Sequence, residues 1–210
     1  MADKIKIIVM GGSFNPPTLA HSKLMISAVN ALNADLGIFV PSSDAYVRRK
    51  MKKQFSEAWT LSEDLRLRML QKVCLTDARL TVSTCEYQDD GRGHTFETMK
   101  KLQKEYPDAL LYFLIGGDKL SIMTRWHKGT AFFESFDFAV VKRNGTNPEQ
   151  QIMDNHILSA YHNKFHMVPE PKGIAEISST VVRTLFMDGN PAVKEMLDPN
   201  VYELLQREVG

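Results

Sequence analysis

Short apolar runs recur along this chain, and the segments between them carry the spacing of amphipathic helices. Ile5–Met10, Leu36–Val40, Leu80–Cys85, Leu110–Ile115, Phe136–Val141 and Phe165–Val168 have the length and the β-branched or aromatic content of strands. Between them, Leu24, Ala28 and Leu32 recur every fourth residue. Leu61, Leu65, Met69 and Val73 do the same and predict a helix over 61–75, with Ser62 and Glu63 near its start. Further helices are expected from Thr95 to Tyr106, stopped before Pro107, and from Glu149 to Tyr161. Two more are expected from Ser178-Ser179-Thr180 to Asp188 and through Val201, Leu204, Leu205 and Val209. Residues 42–60 show no clear periodicity, and polar turn signals fall at 89–93 and at Asn144-Gly145. Strands and helices in alternation predict an α/β fold: a doubly wound, largely parallel sheet with helices on both faces. No repeat, low-complexity tract or linker divides the chain, so a single domain over residues 1–210 is expected.

Composition narrows the function. The 210 residues are 43% hydrophobic and 24% charged with a net charge of +1, a balance that favours neither nucleic acid nor a membrane surface. Cys74 and Cys85 lack CxxC spacing, which points away from a disulfide framework or a Cys-built zinc site and toward a reducing compartment. His94, His127, His156, His162 and His166 show no metal-ligand spacing, so no metal held by the protein is expected. Met1-Ala2-Asp3-Lys4 runs into the first strand without a signal-peptide core, and no run approaches the ~18 apolar residues of a membrane span. A cytoplasmic protein is expected. A homo-oligomer is neither required nor excluded.

Three segments fall at the carboxyl ends of predicted strands or at a helix start, where parallel sheets bind ligands. In Met10-Gly11-Gly12-Ser13-Phe14-Asn15-Pro16-Pro17-Thr18-Leu19-Ala20-His21, glycines let the backbone approach a ligand and prolines fix the loop. Thr18 and His21 stand near a helix N-terminus that favours anions. Gly116-Gly117-Asp118 is the second segment. The third is Ser178-Ser179-Thr180 with Arg183 one turn later, a guanidinium able to fork onto phosphate oxygens. Each has a plainer reading: a strand–helix turn with a surface histidine, a capping aspartate, an N-cap with a solvated arginine. The first turn is not the dinucleotide fingerprint, because position 16 is proline where a third glycine is needed. Nor is it a P-loop, since no Gly-Lys-Ser/Thr follows. A phosphate site of another kind is indicated.

These residues resemble the nucleotidylyltransferase superfamily with its T/HxGH signature, and within it the nicotinamide or nicotinate mononucleotide adenylyltransferases. Gly12 to His21 is similar to the first motif, with Thr18 as the family's alternative to histidine and Ala20 in place of the usual glycine. Ile177-Ser178-Ser179-Thr180-Val181-Val182-Arg183 looks like the ISSTxxR motif, and Gly116-Gly117-Asp118 like GxD. Trp126 falls where a pyridine-site tryptophan is usual, and Asp44-Ala45-Tyr46 before Arg48, Arg49 and Lys50 resembles the basic segment of eukaryotic-type members.

The resemblance implies a Rossmann-like fold and an enzyme in which a mononucleotide's 5′-phosphate attacks the α-phosphorus of ATP and expels pyrophosphate. Its implied partners are ATP with Mg²⁺ and nicotinate or nicotinamide mononucleotide. The phosphate nucleophile is already largely dianionic at neutral pH, so positioning and charge stabilisation suffice. By resemblance, His21, Thr18 and Arg183 are catalytic. ATP would be held by Gly11, Gly12, Ser13, Phe14, His21, Arg49, Gly116, Asp118, Ser178, Ser179, Thr180 and Arg183. The mononucleotide would lie against Ser13, Phe14, Tyr46, Arg48, Thr95, Thr98 and Trp126. The alternatives are a relative acting on another phosphate acceptor, such as pantetheine phosphate, or on CTP, and a non-catalytic nucleotide sensor.

Overall fold

Six strands form one sheet in the computed structural model, which describes residues 4–54, 59–88, 93–142 and 145–210. They are β1 (Lys6–Gly12), β2 (Leu36–Pro41), β3 (Leu80–Val82), β4 (Leu110–Gly116), β5 (Asp137–Val141) and β6 (Phe165–Val168), in the spatial order β3-β2-β1-β4-β5-β6. The pairings β1–β4, β4–β5 and β5–β6 are parallel. This is the order of doubly wound Rossmann-like sheets, with the strand order reversing between β1 and β4. The α/β expectation holds.

Helices α1 (Leu19–Ala31), α3 (Glu63–Cys74), α4 (Thr95–Glu105), α9 (Ser179–Met187) and α10 (Pro199–Val209) lie where periodicity and caps place them. The remaining helices show where pattern reading fails. Residues 42–60 contain α2 (Asp44–Gln54), hidden because among its described side chains only Val47 and Met51, one turn apart, are buried. Asp44 in its first turn and Lys52 and Lys53 in its last suit the helix dipole. The helix expected over 149–161 is two, α7 (Pro148–Asp154) and α8 (His156–Ala160), because the Asn155 side chain accepts from the N–H groups of Ile157 and Leu158 and starts a new helix. The strand expected over 80–85 stops at Val82, and a turn from the Tyr87 N–H to the Thr84 carbonyl follows. Short helices α5 (Leu120–Met123) and α6 (Gly129–Ser135) were not signalled. The turn expected at 89–93 lies mostly outside the described residues, as does Asn144. No helix among the described residues is long and apolar enough to cross a membrane.

Two compact units are distinguished. The first takes Met1–Met10, Leu24–Ile38 and His94–Lys172; the second takes Gly11–Lys23, Phe39–Gly93 and Gly173–Gly210. The first is built on aromatic packing: Phe132 of α6 meets Phe96, Phe113 and Phe138 at ring separations of 6.2, 5.8 and 4.9 Å. At the start of β5, Asp137 accepts from His166 Nε2 at 2.8 Å and Lys164 Nζ at 3.1 Å. Burial alone would raise this carboxyl, but the bonds from His166 and Lys164 outweigh it and hold the group below its ordinary value. Such a group adds stability above its unfolded value of ~3.9 and loses it as pH falls through the folded one. Asp137→Asn should lower the unfolding free energy by roughly 1 kcal/mol at neutral pH. Urea titrations should show the gap to wild type closing in acid; an equal gap at both pH values would contradict the ion pair.

In the second unit α3 buries Leu65, Met69, Leu70 and Val73, and Ser62 caps it by accepting from the Leu65 N–H at 3.2 Å. Cys74 ends the helix; burial pushes its thiol up to about 12.

Candidate active site

The pairing of Thr18 with His21 begins as a helix cap. Thr18 immediately precedes α1 and His21 is its third residue. The Thr18 N–H donates to His21 Nδ1 at 3.0 Å, and Thr18 Oγ1 lies 2.8 Å from the same nitrogen. This is the back-bond of a capping box, with imidazole where glutamate is usual. A backbone N–H has its hydrogen fixed, so Nδ1 must present a lone pair and the neutral ring carries its proton on Nε2. His21 is therefore a donor through Nε2. Phe14 meets the imidazole edge-on at 5.0 Å and Phe39 at 5.7 Å. Its φ of +44° is left-handed. A Cβ on Gly12 would come within 3.2 Å of the Phe14 ring, so Gly12 makes room for that ring.

Behind the turn, groups from three other segments, two side-chain sets and one backbone N–H, reach its backbone. Arg183 of α9 is 6% exposed, and burial lowers its pKa from the ordinary value. Its Nη1 donates to the Asn15 carbonyl at 2.7 Å and Nη2 to Thr180 Oγ1 at 3.2 Å. The solvated-arginine alternative fails. Ser178 caps α9 by accepting from the Val181 N–H, and Ser179 Oγ donates to the Pro16 carbonyl at 2.8 Å. The Asn15–Pro16 peptide is cis. The Gly12 carbonyl accepts from the Ser42 N–H at 2.9 Å. The Ser179 hydroxyl and the Arg183 guanidinium are thus brought to the backbone of the first motif.

Sequence reasoning missed Asn15 and Arg66 as parts of this site, and named Lys50 only as one of a basic segment. Asn15 is wholly buried: its amide donates to the Trp59 carbonyl and its Oδ1 accepts from the Leu61 N–H, each at 2.9 Å. Arg66, also wholly buried, donates to the carbonyls of Leu61 (3.2 Å), Ser13 (3.0 Å) and Ser42 (2.8 Å) and to Asp44 Oδ1 (3.0 Å). The available signal was an arginine at a position flanked by buried Leu65 and one turn before buried Leu70. Lys50 Nζ donates to Ser13 Oγ at 3.2 Å.

On α2, the Arg49 guanidinium stands 5.6 Å from the centroid of the Tyr46 ring. Gly93, with φ +62°, lies where a Cβ would come within 2.7 Å of that ring. Arg48 is largely exposed and pairs with Asp44 at 3.7 Å.

In the first unit, Gly116 ends β4 and the Gly117–Lys119 turn follows. Asp118 makes no side-chain cap there; its carboxylate folds over Gly116, where a Cβ would sit 2.5 Å from Oδ1, and pairs with Lys119 at 2.8 Å. A cavity of about 520 Å³ beside it is lined by Asp118, Ser121, Gln151, Asp154, Asn155 and Leu158. Thr95 opens α4 and His94, not Thr95, is its N-cap. Thr98 is buried and its hydroxyl donates to the His94 carbonyl at 3.4 Å. Trp126 is half-buried, edge-on to Phe113 at 6.2 Å and stacked on Phe132 at 6.4 Å.

Comparison with known proteins gives the chain a family and its fold solved counterparts. Residues 9–185 match the model of the cytidylyltransferase-like family. A probable nicotinate-nucleotide adenylyltransferase of Lachnoclostridium phytofermentans is 28% identical over 185 residues, covering 88% of each chain. One of Nitratiruptor sp. is 31% identical over 141 residues, 67% of this chain and 75% of the relative. Among solved structures, the nicotinic acid mononucleotide adenylyltransferase of Plasmodium falciparum complexed with APC superposes with a TM-score of 0.73 at 16% identity, over 97% of this chain and 95% of that one. The chain belongs to the cytidylyltransferase-like family, in the company of its nicotinate-nucleotide adenylyltransferases.

Proposed function

We propose that this chain, as one domain over residues 1–210, transfers the adenylyl group of ATP to the 5′-phosphate of nicotinate or nicotinamide mononucleotide, releasing pyrophosphate. The observation that carries the reading is the turn from Gly11 to His21: it holds His21 as a donor through Nε2, and the Ser179 hydroxyl and the buried guanidinium of Arg183, itself bonded to Thr180, are tied to its carbonyls. Such donors hold phosphates and stabilise charge on a group in transfer. The names of the Lachnoclostridium and Nitratiruptor relatives favour the nicotinate form as acceptor.

In this reading His21 donates to the ATP phosphates, with Thr18 fixing its ring. Gly11, Gly12, Ser13 and Phe14 present backbone to ATP, Ser13 and Phe14 also meet the mononucleotide, Ser179, Thr180 and Arg183 hold the departing phosphates, and Ser178 and Arg49 also bind ATP. Gly116 and Asp118 take the adenosine. Tyr46, Arg48, Thr95, Thr98 and Trp126 take the mononucleotide. Mg²⁺ arrives as part of the ATP substrate. The side-chain donors at the turn are cationic, hydroxyl or imidazole, and no group of three or more His, Cys, Asp or Glu suited to a metal occurs among the described residues. Phosphate oxygens and water would hold the ion. A cytoplasmic setting, where thiols stay reduced, completes the proposal.

The test is purified protein with ATP, Mg²⁺ and either mononucleotide, scored for pyrophosphate and for the dinucleotide. Release with neither acceptor would leave the sensor or another acceptor. In the same assay Arg183→Lys should lower kcat/KM for ATP by about ten- to a hundredfold, since an ammonium cannot serve the Asn15 carbonyl, Thr180 and a phosphate with one planar fork. An unchanged kcat/KM would remove Arg183 from the site.

A further inference from the structure

Two imidazoles stack beside the segments proposed to hold the pyridine ring. His94, which precedes α4, and His127 lie with ring centroids 4.2 Å apart and planes 26° from parallel. His94 is followed by Thr95, and His127 follows Trp126. Two further contacts tie the same segments. Glu97 Oε1 lies 2.7 Å from Lys128 Nζ and 3.5 Å from His127 Nε2. The Lys128 ammonium also stands 5.2 Å from the centroid of the Phe96 ring. Lys128 has φ +55°, a left-handed conformation that a lysine keeps only where its surroundings hold it. A Cβ on Gly129 would come within 3.1 Å of the Thr124 carbonyl, so the turn carrying Trp126 is tightly closed. Phe113 and Phe132 support Trp126 from the core. His127 and Lys128, the two residues after it, fasten its turn to the start of α4.

We propose that the His94–His127 stack is a proton-sensitive clasp that positions Trp126 and Thr95 for the mononucleotide's ring. This rests on the assignment of Thr95 and Trp126 to the ring in the proposed function. The charged groups facing the pair are Glu97 from α4 and Lys128 from the turn. The Lys128 hydrogen bond holds the Glu97 carboxyl below its ordinary value, so Glu97 stays ionised, 3.5 Å from His127 Nε2. Protons on both rings would place like charges 4.2 Å apart, with the Lys128 cation beside them, and push the stack open. The clasp is closed at neutral pH and loosens in acid.

The experiment measures KM for nicotinate mononucleotide and for ATP between about pH 5.5 and 8, where histidine titrates, in wild type, His127→Ala and His127→Phe. His127→Ala should raise KM for the mononucleotide by about three- to tenfold, the worth of one aromatic pair, with KM for ATP unchanged. His127→Phe keeps a ring but cannot protonate, so its KM should match wild type at neutral pH and lack the rise in acid. The mononucleotide's phosphate titrates in the same window but identically for both proteins, so the difference between them reports His127. Melting curves confirm that each variant is folded. An alanine variant with both KM values unchanged, or a phenylalanine variant that follows the wild-type acid rise, overturns the clasp. A wild type that turns over neither mononucleotide overturns the functional reading itself.

Discussion

Arg66→Ala is expected to destabilise the protein by about 3–5 kcal/mol, the cost of removing one partner from a buried charged network. The side chain is wholly buried, and its four donations end on carbonyls of Ser13, Ser42 and Leu61 and on Asp44. Truncation leaves those acceptors without their donor, at about 1–3 kcal/mol for each that stays dry, and opens a cavity besides. Chemical denaturation should show the loss directly, and the melting temperature should fall by on the order of 10 °C. Arg66→Met separates the two causes, because it refills the volume but restores no donor. If methionine recovers most of the stability, the hydrogen-bond network is not what Arg66 provides.

His21→Ala should lower kcat by about 10²- to 10³-fold, as loss of one preorganised donor does, while costing at most ~1 kcal/mol of stability through the lost cap. Glutamate is the sharper probe. His21→Glu can still accept from the Thr18 N–H, so the capping box survives. What vanishes is the Nε2–H, replaced by a charge that repels phosphate. Melting should therefore stay close to wild type while pyrophosphate release disappears; near-full turnover in either variant would end the donor role of His21.

How much of this was legible beforehand depends on what each residue contacts. The strands read clearly because burial on both faces makes them continuous apolar runs, as in Ile7, Ile8 and Val9. Motif residues with local partners were also readable: Thr18 with His21, and Ser178 with Val181, interact at a spacing of three. Helix α2 was missed because two buried side chains cannot outweigh five basic ones in a pattern. Asn155 looked like any polar residue within a helix, and only its acceptance from two N–H groups shows the break. Arg66 and Asn15 act across 53 and 46 residues of chain, and nothing local announces such partners. Nor does periodicity register His94 against His127, since each reads separately as a surface histidine.

Four of the five carbonyls in the turn of Gly12 to Pro16 are already occupied. The carbonyls of Gly12, Ser13, Asn15 and Pro16 accept from the Ser42 N–H, Arg66, Arg183 and Ser179. An incoming polyphosphate would otherwise meet those oxygens as repulsive dipoles. With them capped from behind, the segment in the proposed function works as a filter of sign, favouring anions because four of its own acceptors are already engaged. The selectivity is installed by chain folding, so no dipole has to turn when the ligand arrives, and the barrier to reaction carries no cost for reorienting the peptide groups. It also means that anion preference can be tuned from a residue outside the proposed phosphate contacts: Ser42→Pro, which removes the N–H and unmasks the Gly12 carbonyl, would weaken phosphate binding without altering a single ligand contact made by His21.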